Sequence, residues 1–96
     1  MVRHIVMFKL KDNSPQSLEK AKEVLLSMKG NVSLLRGIEV GIDFLRSERS
    51  YDVVLITDFD TREDLALYQK DKYHEGVVKT YMHAVRQSSV AIDYEY

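Results

Sequence analysis

Three histidines, His4, His74 and His83, hold most of the acid–base capacity that this sequence offers near neutral pH. The sequence has no cysteine, which excludes thiol nucleophiles, disulfides and thiolate metal sites. His74 opens a helical stretch, where the partial positive charge of a helix start opposes protonation and favours a neutral imidazole. Such an imidazole can take a proton from an activated carbon. The plainer alternative is a polar residue that caps the helix or faces water. Asp71 lies three residues earlier, so the pair can share a helix face and offer a carboxylate and an imidazole to a metal. Pairs at this spacing are common by chance, and no metal is expected. His83 falls nine residues after His74, about half a turn round an ideal helix, so it reads as surface and outside any site of His74. His4 sits in an otherwise apolar segment, as either a functional group or a structural hydrogen-bonding residue. There is no nucleophile elbow, phosphate-cradling glycine loop, zinc spacing or dinucleotide fingerprint.

The elements that must position these groups are separated by clear punctuation. Val2 to Leu10 is rich in β-branched and aromatic residues and reads as a strand. Ser14 is the expected N-cap of a helix with Pro15 at its first position. Leu18, Ala21, Val24, Leu25 and Met28 form its apolar stripe, and Gly30 and Asn31 stop it. Val32 to Arg36 is compatible with a single turn. Ile38, Val40, Ile42 and Phe44 alternate with polar or small residues as a second strand, and Tyr51 to Phe59 makes a third. Thr61 to Asp64 resembles a capping box that opens a short helix carrying Leu65 and Tyr68 on one face. Lys70 to Lys72 is a charged break before a further helical stretch with Val77, Val78, Tyr81 and Val85. Arg86 to Tyr94 is the last strand, and the Tyr94-Glu95-Tyr96 tail either reaches a partner or frays.

This order predicts an α+β fold: a ferredoxin-like split βαβ sheet, β-α-β-β-α-α-β, antiparallel and four-stranded, with the first and third strands central. Its 96 residues make one domain over residues 1–96. A net charge of −1 gives no electrostatic footprint for nucleic acid or an anionic membrane. The opening apolar run, Ile5 to Phe8, is too short for a signal-peptide core or a membrane span, and a cytoplasmic location is expected. Ile5 to Phe8 and Val53 to Ile56 are apolar on both faces, which implies burial on both sides. Helices cover one face only, so the other calls for a second copy of the chain packed sheet to sheet. That interface is expected to carry His4, Val6, Phe8, Val53 and Leu55, so that a charge at Val6 or Leu55 costs dimerisation and folding together.

The chain resembles the Dabb family of stress-responsive dimeric α/β-barrel domains along essentially its whole length. The resemblance is carried by Arg3 to Lys11, the Glu39-Val40-Gly41 turn of the second strand, Tyr51 to Leu55 with Phe59, Leu67-Tyr68-Gln69, His74, and Val90 to Tyr94. It implies the same fold, dimerised into a barrel whose interior can hold a small ligand. The family motif Tyr-x-x-His-Pro-x-His keeps its ends as Tyr68 and His74, while Asp71 and Lys72 replace its first His and its Pro. In the plant polyketide cyclases of the family an amino-terminal His, this Tyr and the last His serve an aldol-type ring closure without a cofactor. By resemblance His4, Tyr68 and His74 take those places, with His74 as base and Tyr68 or His4 holding the carbonyl oxygen. The further Tyr that those cyclases use on the first helix is missing here, where Leu25-Leu26-Ser27-Met28 stands. Some relatives also hold an ion by backbone carbonyls in the segment that is Asn31 to Arg36 here.

Two functions follow. The chain either shelters a small apolar molecule inside the barrel, or acts without cofactor on a carbonyl compound through His4, Tyr68 and His74. A cofactor-free oxygenase is a third reading, on analogy of fold alone. The ligand is expected against Val6, Phe8, Val53, Leu55, Thr57, Ser89 and Ala91, with Val54, Ile56, Val90 and Ile92 turned to the helices.

Overall fold

The computed structural model describes residues 1–96. Its elements are β1 (Val2–Leu10), α1 (Pro15–Leu26), β2 (Gly37–Ile42), β3 (Val53–Phe59), α2 (Arg62–Tyr68), a π-helical segment (His74–Lys79), α3 (Thr80–Val85) and β4 (Arg86–Glu95). Local chemistry sets the helix starts. Ser14 Oγ accepts from the Ser17 backbone N–H ahead of Pro15, and Thr61 Oγ1 accepts from that of Asp64. After α1 the chain turns through Gly30, whose φ of +84° suits glycine, and the Asn31 side chain donates to the Ser27 carbonyl at 2.8 Å.

The four strands lie in the order β2-β3-β1-β4, every neighbouring pair antiparallel, so β1 and β3 are central as expected. Glu39 to Gly41 lies inside β2 and makes no turn, each residue pairing with β3 from Ile56 to Val54. Phe44 falls outside β2 and is 91% exposed, because Asp43 closes the strand into a turn by accepting from the Arg46 backbone N–H. The tail does not fray. The terminal ammonium of Met1 donates to the Tyr96 carbonyl, Tyr96 N–H donates to the Met1 carbonyl, and Arg3 lies over the Tyr96 ring.

The sheet faces are the reverse of the expectation. Val53, Leu55, Thr57 and Phe59 on β3 are buried, as are Val2, His4, Phe8 and Leu10 on β1. They form one core with Leu18, Ala21 and Leu25 of α1, Met28, Tyr68, Val78 and Met82, which is the helix side. Residues of opposite parity are left uncovered: Met7 is 39% exposed, Val90 42% and Ile92 58%. Ile5, Val54 and Ile56 share that open face through the register Ile5↔Ile56 and Met7↔Val54. Val6 and Leu55 therefore belong to the protomer's own interior, and the uncovered sheet face is built from Ile5, Met7, Val54, Ile56, Val90 and Ile92. A continuous apolar run contains no parity signal, so either face of β1 or β3 satisfies it equally.

Candidate functional site

A cavity of about 240 Å³ lies between the sheet and the helices of the single chain. Val6 and Phe8 of β1, Leu55 of β3, and Ser89 and Ala91 of β4 make its floor. Tyr68, His74, Val78 and Met82 form the wall above, and Leu25 of α1 closes the back. β4 is an edge strand, and its Ser89 and Ala91 are exposed although they face the helix side, so the cavity opens there. Five of the seven expected ligand-contact residues line it: Val6, Phe8, Leu55, Ser89 and Ala91. Val53 and Thr57 do not. Val53 packs in the core, and Thr57 Oγ1 donates to the His4 carbonyl at 3.3 Å, bracing the strand beneath the site.

His74 is held from three directions. The Asp71 carboxylate accepts from the backbone N–H groups of Tyr73 and His74, both at 3.0 Å, and so caps the helical start. His74 Nδ1 lies 3.0 Å from the Tyr68 carbonyl, and its ring stacks on the Tyr68 ring at 3.9 Å between centroids. A carbonyl only accepts, so Nδ1 carries the proton and Nε2 keeps its lone pair. Every buried polar side-chain atom has a partner, and Nε2 has none. It is therefore open, although the residue as a whole is only 7% exposed. Burial lowers the His74 pKa to about 4, against the Tyr68 carbonyl bond, which raises it, and with a smaller lowering from Lys79. The neutral imidazole expected from a helix start is thus produced mainly by burial, and the Asp71 carboxylate at that start acts in the opposite sense. Asp71 Oδ2 thus caps this helical start, and no group of three or more His, Asp or Glu side chains able to hold a metal ion is found. In the Asn31 to Arg36 segment the Ser33 carbonyl accepts from Arg36 Nη1 at 3.1 Å, a cation supplied by the chain itself.

His4, 9% exposed, hydrogen-bonds through Nδ1 to the carboxylate of Asp93. The carboxylate fixes the imidazole orientation and leaves Nε2 for the cavity. Asp93 was not singled out from the sequence. Its signal is the β1–β4 register, which places it directly opposite His4, and that register becomes readable only once the edge strand is aligned. Tyr68 differs from expectation. It is fully buried, its hydroxyl donates to Met28 Sδ at 3.5 Å, and burial raises its pKa. What it gives the site is its ring, stacked on His74 and edge-on to His4 at 6.2 Å. His83 also departs from the reading, since it lines the same cavity as His74. The π-helical turn between them advances each residue by less than the ~100° of an α-helix, so nine residues no longer make half a turn.

The depressed His74 pKa links stability to pH. Unfolded His74 titrates near 6.5 and the folded group near 4, so between these values the unfolded state binds the extra proton. The His74 contribution is present above about pH 6.5 and is lost as pH falls towards 4. Urea midpoints should therefore drop over that window, and the drop should be shallower in His74→Gln. Parallel curves for the two proteins would refute the linkage.

The Dabb pattern, described as the stress responsive A/B barrel domain, matches residues 2–96. A dimeric protein of unknown function with a ferredoxin-like fold from Bacteroides fragilis is 28% identical, with a TM-score of 0.83 over 99% of this chain and 95% of that one. A dimeric ferredoxin-like protein of unknown function from Thermobifida fusca is 21% identical, with a TM-score of 0.84 over 99% and 90%. A Dabb family protein with a ferredoxin-like fold from Mesorhizobium loti is 24% identical, with a TM-score of 0.72 over 99% and 95%. No curated protein matches the chain. No helix is long and apolar enough to cross a membrane. With its central β1 and β3, its helices on one face and the family pattern running from Val2 to the last residue, this chain belongs to the Dabb family of stress-responsive A/B barrel domains.

Proposed function

We propose that this chain forms a homodimer through its open sheet face and that each protomer binds a small, largely apolar molecule in the cavity between its own sheet and helices. The observation that carries the binding reading is the cavity itself, with an apolar floor and two imidazoles, His4 and His74, at one end. An engineered cavity of about 150 Å³ accepts benzene. A space of about 240 Å³ therefore suits one ring with short substituents. Dimerisation is supported by the uncovered Ile5, Met7, Val54, Ile56, Val90 and Ile92, and by relatives described as dimeric. Filling the floor tests the binding site. Ala91→Phe changes an exposed edge residue and should fold, yet weaken binding of alkylbenzenes or phenyl ketones at least tenfold by calorimetry. Undiminished binding would move the site elsewhere.

A second reading is favoured by one specific observation: His74 holds an accessible lone pair on a neutral ring whose other nitrogen is fixed. Such a group suits cofactor-free enolisation of a carbonyl compound. In this reading His74 removes the proton, His4 with Asp93 behind it steadies the oxygen, and Tyr68 positions His74 through its ring and carbonyl. This differs from the expected direct use of the Tyr68 phenol.

A further inference from the structure

The cavity's charges are one-sided. Its lining includes Lys79, His83 and Arg86 but neither an aspartate nor a glutamate. That is a bias in a chain that has 15 acidic residues against 14 lysines and arginines. Lys79 ends the π-helical segment, His83 lies in α3 and Arg86 opens β4, and the chain brings all three to the same cavity. None of them forms a salt bridge. Lys79 Nζ donates to the Gln69 carbonyl at 3.2 Å and Arg86 Nη1 to Ser89 Oγ at 3.4 Å, both neutral acceptors. By contrast Arg3, Arg36 and Arg62 are each paired with a carboxylate. Arg86 and Ser89 lie towards the Phe8 end of the floor, since Ser89 pairs with Phe8, while Asp93 pairs with His4. At about 3.3 Å per residue, roughly 13 Å of strand separates the two ends.

We propose that the ligand is an amphipathic carboxylic acid: its carboxylate sits at the Lys79–His83–Arg86 mouth, and its apolar body runs along Val6 and Ala91 towards His4 and His74. The proposal rests on the binding reading above and adds the charge and direction of the ligand. Arg86 supplies a planar fork matched to a carboxylate, and Lys79 a point charge beside it. Apolar walls lower the local dielectric and strengthen both attractions relative to open water. An ester or amide of the same acid would lose the charge attraction, keeping a neutral hydrogen bond through its carbonyl oxygen and the apolar contact.

The test titrates the intact protein at low salt with two probes of one shape, 3-phenylpropanoate and 3-phenylpropanamide, followed by calorimetry and amide NMR shifts. The carboxylate should bind at least tenfold more tightly, and the advantage should shrink with added salt. Lys79→Gln with Arg86→Gln should weaken carboxylate binding at least tenfold and amide binding far less, which removes the advantage. Both positions are outside the buried core, so the double variant should fold, and its far-UV circular dichroism checks this. Equal binding of acid and amide by the wild type would overturn the anionic head and leave the apolar binding site standing. Binding of neither probe at millimolar concentration would overturn both. A carboxylate preference that survives in the double variant would place the anion elsewhere and refute the proposed mouth.

Discussion

Removing the His74 imidazole should lower turnover of an enolisable substrate by roughly 10²–10⁴-fold, the range expected when a general base is lost. The free ring nitrogen sets the base. Nδ1 is committed to the Tyr68 carbonyl, so Nε2 alone can accept a proton from carbon. With its pKa lowered to about 4, His74 is already deprotonated at pH 7 and needs no activation. The same depression makes it a weak base, so the substrate must bring an acidic carbon, as a 1,3-dicarbonyl compound does. The sign of the pH dependence follows. Turnover should stay flat from about pH 7 down to pH 5 and fall only as the folded imidazole takes a proton near 4. A base with an ordinary histidine pKa would instead lose rate from about pH 6.5.

Tyr68→Phe should cost less than tenfold, because the variant keeps the stacked ring and the backbone carbonyl and loses only the bond to Met28 Sδ. EDTA should change nothing. The assay screens β-polyketide and other 1,3-dicarbonyl compounds for ring closure or enolisation. Turnover that persists in His74→Ala would remove the base assignment. An inactive wild type across the panel would leave ligand binding as the reading to pursue.

Much of this architecture is legible in the sequence because local rules agree with one another. Ser14-Pro15, Thr61 and the stripe from Leu18 to Met28 place the helices without reference to tertiary structure. The order of elements then leaves one reasonable sheet, the observed β2-β3-β1-β4. The direction in which the strands face is a different kind of information. Ile5 to Phe8 and Val53 to Ile56 satisfy either parity, and only their flanks distinguish the two. Arg3, Lys9 and Asp58 share the parity of Ile5, Met7, Val54 and Ile56, and charges bordering an apolar patch belong on a rim. Phe59, fully buried, shares the parity of Val53, Leu55 and Thr57 and marks the interior. Reading those ends would have set the register.

The site shows the same division. His4 and His74 converge on one cavity as the family motif implies, yet the cavity sits beneath the helices and not between two sheets. His83 entered it through a π-helical turn, and the 3.6-residue period contains no warning of such a turn. Asp93 became visible only through strand pairing. Residues whose roles depend on their own neighbours in sequence were readable, and residues whose roles depend on a facing strand were not.

Because the faces are assigned, dimerisation and folding become separable. Met7→Glu should dissociate the dimer and leave a folded protomer of about 11 kDa. Met7 lies at the middle of the open patch, with Val54 and Val90 beside it in register, and in a lone protomer its side chain already meets water. A glutamate there costs the monomer little. In the dimer it would be an unpaired charge enclosed between two sheets, and breaking burial of this kind typically costs about 3–5 kcal/mol. At about 1.4 kcal/mol per tenfold, that weakens association by some 10²–10³-fold or more, enough to turn a micromolar dimer into a monomer at ordinary concentrations. Leu55→Glu should behave in the opposite way. Leu55 is buried beneath the helices, so the same charge would unfold the protomer itself. Sedimentation velocity reads the assembly and circular dichroism the fold, and the cavity, built within one chain, should still take its ligand in the Met7→Glu monomer. A wild type that sediments as a folded monomer at micromolar concentration would reject the dimer. A Met7→Glu protein that unfolds while Leu55→Glu merely dissociates would show that the two faces had been exchanged.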